Sequence, residues 1–446
     1  MHQKPKEIIK VLVFPIGTEI GNEISRSLHG KKNISLIGLN SIDINPKGRY
    51  DHFIHVPFIG DDYASSEFIS TIQKIAPDVV FPAHDSATIF LSQIMKKGGI
   101  SHSKFATSNI ETSLIARSKR NTYQTLKEIV PVPLEYDLNS DSSISFPLFS
   151  KPDIGQGSSG TSIIFNDAEL DSARAKKLLV TEYLPGPEYT VDCFTTNSGD
   201  LAFVSGRLRK RTSNGISTET EIVVRVEFRE YASAINERLC LKGPWFFQVK
   251  ERKTGELVIM EIATRLAGSS GIHRFNGVNL SLAAVYNVLG YDIKLSHHES
   301  FSRSRRQLSE HKVTAQIPAG CVLDFDDTLL QDGHVNWMIV AIVRYLQSRG
   351  VWIDLVSRHG KSFKEPLSFA LKKTNIPIEF RQVHDITAET RKSRFTQGEG
   401  IIFVDDSFRE RQEVASNSSA IVFDVNEFIS AFASLQRNRV TAKRKL

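Results

Sequence analysis

Short apolar runs separated by amphipathic stretches dominate the first hundred residues: Ile8 to Phe14, Ile34 to Leu39, Phe53 to Phe58, Val79 to Pro82 and a last piece near Phe105. Helical patterns at Glu19 to Leu28, Glu67 to Ile75 and Ser86 to Met95 lie between several of them. This alternation predicts a parallel sheet with helices on its faces. Gly17 and Gly21 follow the first run at the turn into a helix, where close backbone approach or phosphate binding favours glycine, although GxGxxG is not satisfied.

From Asn109 to about Leu295 the pattern changes to one helix, Ile110 to Ile129, then β-rich sequence with glycine loops and a closing helix near Leu280 to Leu289, an α+β module. Residues 296–312 are polar and basic with little apolar periodicity and read as a linker. A third α/β pattern runs from about Val313 to Phe432. The expected organisation is therefore 1–108, 109–295, a linker 296–312, 313–436 and a basic tail 437–446, in keeping with the ~150 residues of a typical domain.

The chain carries 56 Lys+Arg against 50 Asp+Glu, but residues 437–446 hold five of the basic residues and no acid. Without them the balance is 51 to 50, so the charge belongs to a solvated tail and no nucleic-acid partner is expected. Three cysteines without CxxC spacing write neither a disulfide framework nor a zinc site. No window approaches the ~18 apolar residues of a membrane helix, and Met1 to Lys10 has no signal-peptide core. The expectation is a cytoplasmic protein without a membrane partner.

Two constellations carry chemistry. In the first, Lys151 ends an apolar run and opens KPDIGQGSSGT, a loop with Gly155, Gly157, Ser158 and Gly160. Such a loop can wrap backbone N–H groups around phosphate oxygens while the lysine supplies a point charge; a glycine-rich hairpin without a ligand is the other reading. Glu182 and Glu188 then flank a Pro-Gly-Pro turn. Gln248 and Glu261 lie on two runs joined by the turn Lys253 to Glu256 and can project from one face as oxygen ligands, though each carboxylate taken alone also reads as a surface residue.

In order, these pieces resemble the ATP-grasp superfamily, especially its carbamoyl-phosphate-synthetase-like carboxylate-amine ligases, over residues 1–295, with 1–108 as a Rossmann-like pre-grasp domain. The resemblance implies ATP as substrate and Mg²⁺, or Mn²⁺ in its place. Lys119 and Lys151 would contact the nucleotide, the Gly155 to Gly160 loop would close over the triphosphate, and Glu182 with Leu184 would form the adenine hinge. Glu188 would hold the ribose, Gln248 and Glu261 the metal, and Arg265 would steady the transferring phosphoryl group. The alternating Arg207, Arg209 and Arg211 suggest anion contacts or a solvated strand face, and Gly268 to Gly271 is placed for the acceptor. The family's Glu-x-Asn-Pro-Arg is here Glu261-Ile-Ala263-Thr-Arg265, and alanine ligates no cation.

The second constellation begins where an apolar run enters Asp324-Phe-Asp326-Asp-Thr328; two further runs end at Ser357 and at Asp405-Asp406. Carboxylates gathered at one edge of a parallel sheet need a cation. The array resembles the haloacid-dehalogenase-like (HAD) phosphatase superfamily over residues 317–435. By that resemblance Asp324 would be the nucleophile, Asp326 the acid and base, and Ser357 a donor to the phosphoryl oxygens. Lys392 would neutralise the phosphoryl group, with Lys372 and Lys373 as alternatives, and Asp324, Asp326, Asp405 and Asp406 would form the Mg²⁺ site. The 29 positions from Thr328 to Ser357 hold one turn and the helix around Val335 to Gln347, and the 48 from Ser357 to Asp405 a helix, a strand and a helix, so no cap domain fits.

The fold expected is thus an α/β and α+β multidomain chain: a Rossmann-like pre-grasp domain, an ATP-grasp fold and a capless HAD-like Rossmannoid domain. The function expected is bifunctional, an ADP-forming carboxylate-amine ligase joined to a phosphatase. Its partners would be a small carboxylate, an amine and a phosphorylated metabolite, with a homodimer allowed. The alternatives are a phosphatase carrying a regulatory nucleotide-binding module, and a nucleotide-responsive scaffold with little turnover.

Overall fold

Five parallel strands, β1 (Ile9–Phe14), β2 (Ile34–Asn40), β3 (His52–His55), β4 (Val79–Pro82) and β5 (Lys104–Phe105), assemble in the order β3-β2-β1-β4-β5. The computed structural model describes residues 8–42, 49–96, 104–136, 144–155, 157, 159–213, 215–296, 301–306, 317–359 and 366–432. The chain divides into two units, Met1–Leu308 and Ser309–Leu446. β1 is apolar throughout because both its faces are covered. Val11 and Val13 pack with Ile24, Leu28 and Ala284, whereas Leu12 and Phe14 pack with Phe68, Ile72 and Leu91. β1 is flanked by β2 and β4, so the strand order reverses there, and the segments leaving β1 and β4 open a crevice at the sheet's carboxyl edge. At one side of that crevice, Thr18 caps the helix Glu19–Leu28 by accepting from Gly21 N at 3.0 Å.

The single helix expected over Ile110 to Ile129 is two, Ile110–Arg117 and Lys119–Leu126. Ser118 between them is extended. Its hydroxyl accepts from Asn121 N at 3.1 Å and donates to Asp153 at 2.8 Å, and Asp153 also accepts from Arg120 N. A capping serine restarts the helix where the continuous pattern hid the break.

β6 (Leu148–Lys151), β7 (Ser162–Ile164) and β8 (Leu179–Glu182) form an antiparallel sheet in the order β7-β6-β8. A larger antiparallel sheet joins β9 (Glu188–Thr195), β10 (Leu201–Ser213), β11 (Ile216–Val223), β12 (Gly243–Glu251), β13 (Leu257–Ala263) and β14 (Arg303–Arg305) in the order β13-β12-β9-β10-β11-β14. One face buries Val191, Trp245, Phe247 and Ile259 against Phe228, Ala232 and Ile235 of the helix Val226–Arg238.

β14 corrects the expected linker. Arg303 and Arg305 pair along β11 and both engage Glu219, a buried carboxylate, so part of 296–312 is an edge strand. Its residues are fixed by charge and not by burial, which is why no apolar period marks it.

In the C-terminal unit, β15 (Gly320–Leu323), β18 (Trp352–Ser357), β19 (Gln382–Asp385), β20 (Ile401–Val404) and β21 (Ile421–Phe423) form a parallel sheet in the order β19-β18-β15-β20-β21. Cys321 and Leu323 pack on Ile339, Val343 and Phe428, while Val322 packs on the opposite face with Val356, Phe403 and Val414. Between β15 and β18 a small hairpin, β16 (Leu330–Gln331) with β17 (His334–Val335), precedes the helix Trp337–Ser348. The helix therefore starts after Val335, capped by Asn336. The described residues between β15 and β18 contain no inserted domain. The basic tail 437–446 lies outside the described residues.

Candidate functional sites

Within the N-terminal unit, the crevice at β1 and β4 faces β12 and β13 across a cavity of about 470 Å³. A second cavity of about 130 Å³ lies beside it, and Lys119, Gly155, Gly157, Gln248 and Glu261 line both. Gln248 and Glu261 are direct cross-strand partners on β12 and β13. Burial raises the Glu261 carboxyl above its ordinary value, against the pull of Lys119. These two side chains offer oxygen ligands to a divalent cation; Ala263, which also lines the larger cavity, offers none.

Lys151 lines the smaller cavity and donates to Tyr123 Oη at 2.7 Å. Burial, with Lys119 adding to it, lowers its pKa to about 7. Glu188 lines the same cavity and pairs with Arg209 at 3.0 Å. Gly160 has a positive φ of 71° in the glycine-rich loop; Ser158 lies outside the described residues. A Cβ on Gly215, at the β10–β11 tip, would lie 2.3 Å from the Gly157 carbonyl carbon, so hairpin and loop meet backbone to backbone. Glu182 and Leu184 are not brought to either cavity. The Glu182 carboxylate is held by Arg252 and accepts from Leu134 N at 2.9 Å, and Leu184 is buried.

Arg265 lines the larger cavity as a bidentate partner of Asp85, with both bonds at 2.7 Å. Against the upward push of burial, its guanidinium holds the Asp85 carboxyl below the usual range. Arg207 is not on a solvated face: it is fully buried, bonded to Asp192 and, at 2.8 Å, to Ser269 Oγ. Arg306 reaches the cavity from the supposed linker, bridging Glu19 Oε2 at 2.7 Å and the Gly268 carbonyl at 3.1 Å.

In the C-terminal unit, Lys392 stands on a short 3₁₀ helix, Lys392–Phe395, with Nζ 2.6 Å from Asp324 Oδ1 and 2.7 Å from Asp405 Oδ2. Asp324, Asp405 and Asp406 have oxygens within 4.8 Å of one another. Three carboxylates, two of them sharing one ammonium, gathered at the carboxyl edge of a parallel sheet fit a hard divalent cation. Burial, then the charge of Asp405, pushes the Asp324 pKa up to about 7, with Lys392 opposing. Burial also raises Asp405 and Asp406. Burial disfavours the Lys392 ammonium, but the two aspartates hold it above the ordinary lysine value.

Asp326 corrects one expectation. Its carboxylate is not part of this group; His359 Nδ1 lies 2.8 Å from it and Ser357 Oγ donates at 3.2 Å. Thr328 Oγ1 accepts from Asp406 N at 3.2 Å, tying the first loop to the last. Lys372 and Lys373 stand in the last turn of the helix Leu367–Thr374, and the ammonium hydrogen-bonded to Asp324 and Asp405 is that of Lys392.

A family model described as ATP-grasp in the biosynthetic pathway with Ter operon matches residues 174–310. A biotin carboxylase of Campylobacter jejuni superposes with a TM-score of 0.55 at 15% identity, covering 64% of this chain and 72% of that one. N5-carboxyaminoimidazole synthetase of Staphylococcus aureus complexed with ADP gives 0.54 at 16%, covering 65% and 79%. The L-amino acid ligase of Bacillus licheniformis gives 0.51 at 16%, covering 64% and 75%. Such coverage exceeds what the shorter C-terminal unit contains, and the family match lies almost entirely in the first unit. The N-terminal unit has an ATP-grasp fold. No functionally curated protein matches the sequence. Among the described residues, no helix is long and apolar enough to cross a membrane.

Within the ATP-grasp unit, sequence reasoning missed Asp85, Arg117, Glu19 and Arg306, all lining the larger cavity. Asp85 had a usable signal, a carboxylate three positions past the carboxyl end of a parallel strand, where the next helix begins. Arg306 had none. In the C-terminal unit His359 was missed, although it stands two residues beyond Ser357 at a strand end.

Proposed function

We propose that the chain is a bifunctional enzyme, its ATP-grasp unit an ADP-forming carboxylate-amine ligase and its C-terminal unit an HAD-like phosphatase. The observation that carries the ligase is the pair of adjoining cavities sharing Lys119, Gln248 and Glu261, one ending at Lys151 and the other at Arg265 and Arg306. The smaller suits a nucleotide's phosphates and the larger an acid and an amine.

In the ligation, a carboxylate oxygen attacks the γ-phosphorus of ATP, the bond to the β-phosphate oxygen breaks and ADP leaves. The amine nitrogen then attacks the acyl carbon, phosphate departs and the nitrogen loses a proton. Phosphate leaves far more readily than the oxide of a free carboxylate. Lys151 and Lys119 would hold the phosphates, the Gly155 to Gly160 loop would cover them and Glu188 would face the ribose. Arg265, kept rigid by Asp85, would meet the transferring group. Mg²⁺ on Gln248 and Glu261 would neutralise phosphate charge.

For the phosphatase, Asp324 would attack phosphorus, forming an aspartyl phosphate as the ester P–O bond breaks. Asp326, oriented by His359 and Ser357, would protonate the departing alcohol and later take a proton from the water whose oxygen attacks phosphorus, breaking the bond to Asp324 and releasing phosphate. Lys392 would neutralise the phosphoryl oxygens, and Mg²⁺ on Asp324, Asp405 and Asp406 would screen their mutual repulsion.

The test is a panel of acids, amines and phosphate esters with ADP and phosphate measured separately. ADP formation requiring both acid and amine, and abolished by Lys151→Ala, supports ligation. Phosphate release from an aryl phosphate, abolished by Asp324→Asn with ATP binding intact, supports the phosphatase. Ala263 favours a second reading, a nucleotide-binding regulatory module, which nucleotide binding without ADP formation across the panel would support.

A further inference from the structure

Ser269 and Ser270 are neighbours in the Gly268 to Gly271 turn, and their hydroxyls are committed differently. Ser270 is buried and donates to the Ala267 carbonyl at 2.8 Å, closing its own turn. Ser269 lines the larger cavity, and its Oγ accepts from Arg207 Nη1 at 2.8 Å. A guanidinium cannot accept a hydrogen bond, so the direction of that bond is fixed and the serine's own hydrogen is left to donate elsewhere. Among the described residues nothing accepts it. Thr220 shows the alternative: it accepts from the same Nη1 at 3.2 Å but gives its hydrogen to the Leu208 carbonyl, also at 3.2 Å.

The guanidinium that sets this direction is itself held in place. Arg207 Nε is bonded to Asp192, whose Oδ2 also lies 2.8 Å from His273 Nε2, and all three side chains are buried. Against the upward push of burial, Arg207 and then His273 hold the Asp192 carboxyl below its ordinary value, so the ion pair keeps its charges. Arg207 Nη2 is buried too and has no acceptor among the described residues, so the protein leaves part of the cation unanswered. A hydroxyl that accepts from a cation is polarised into a stronger donor. Such a donor, backed by residual positive charge, suits a negative oxygen better than a neutral one. In the ligase reading, on which this inference rests, the substrate that brings negative oxygens to this wall is a carboxylate.

We infer that Ser269 donates its hydroxyl hydrogen to a carboxylate oxygen of the substrate in the larger cavity, and that Arg207 is the positioning residue that fixes this direction. The test uses the full chain with Mg²⁺, ATP and the acid and amine that yield ADP in the panel above. Ser269→Ala should raise KM for the carboxylate-bearing substrate by ~10-fold or more, with kcat and KM for ATP each within ~2-fold of the parent. Ser269→Thr keeps the hydroxyl and should recover most of that loss. Arg207→Lys keeps the charge, but one ammonium cannot span Asp192 and Ser269 Oγ together. It should therefore cost a similar factor alone and nothing further in the Ser269→Ala background, whereas a merely structural arginine would make the two losses multiply. Should Arg207→Lys fail to fold, the two Ser269 variants still decide the hydroxyl's role. Unchanged KM for acid and amine in Ser269→Ala, or losses that multiply in the double variant, overturns the inference and leaves the ligase standing. ADP from no pair in the panel overturns both.

Discussion

The Lys392 ammonium lies 2.6 Å from the Asp324 carboxylate, and both side chains are buried. Removing one partner of a buried ion pair leaves an uncompensated charge, so Lys392→Met should lower unfolding free energy by ~3–5 kcal/mol in metal-free buffer. Mg²⁺ should restore more stability to the variant than it adds to the parent, because the cation then answers carboxylates the lysine no longer holds. Denaturant titrations with and without Mg²⁺ check both statements; equal Mg²⁺ effects would remove this group as a cation site.

Lys151 gives a pH prediction with a definite sign. Its folded-state pKa is about 7 against the ordinary 10.5, mainly through burial. Between those values the unfolded chain binds the proton and the folded chain does not. Folding stability contributed by this residue is therefore lowest below pH 7 and rises as pH climbs toward 10.5. A bound polyphosphate favours the ammonium, so nucleotide binding above pH 7 takes up a proton and affinity falls with pH, approaching about one log unit per pH unit. Calorimetry in buffers of different ionisation enthalpy measures the uptake, and Lys151→Met should abolish it.

What the sequence displayed depended on where the determining contact lies. β1, β2 and β4 were legible because each is covered on both faces, and Gln248 and Glu261 because strand alternation around a tight turn puts them on one face. The Arg265 to Asp85 pairing spans 180 positions, so although Asp85 follows the end of a strand, nothing local says which cation it meets. β14 is fixed by Glu219, a residue far away in sequence. The β16–β17 hairpin does carry a local signal, Asp332-Gly333, both at positive φ as a type I′ two-residue turn requires. Ser118 shows the converse, a capping residue concealed inside a continuous helical pattern.

Gly215 couples two loops that sequence places far apart. Its φ is +69°, and a Cβ would meet the Gly157 backbone at 2.3 Å. Gly215→Ala is expected to push the hairpin from the glycine-rich loop, raising KM for ATP by ~10-fold at a stability cost of only ~1–2 kcal/mol. Nucleotide titration and thermal melting separate the two effects; an unchanged KM would mean the loop closes without the hairpin.

Arg306 belongs to the segment that composition alone assigns to a linker, yet it crosses the larger cavity to Glu19, the Gly268 carbonyl and the Ser217 carbonyl. It is distant in sequence from the lysines and the glycine-rich loop that face the smaller cavity. Its guanidinium bonds to Glu19 and to the Gly268 carbonyl on a wall of the larger cavity where an acid or amine, not the nucleotide, would sit. Arg306→Ala should therefore weaken the acceptor side, raising KM for the acid or amine by ~10-fold or more, with ATP affinity within ~2-fold of the parent. Arg306→Lys should recover only part of the loss, because a single ammonium cannot reproduce the guanidinium's simultaneous bonds to a carboxylate and two carbonyls. A parallel loss of ATP affinity would instead make Arg306 a brace for the whole cavity.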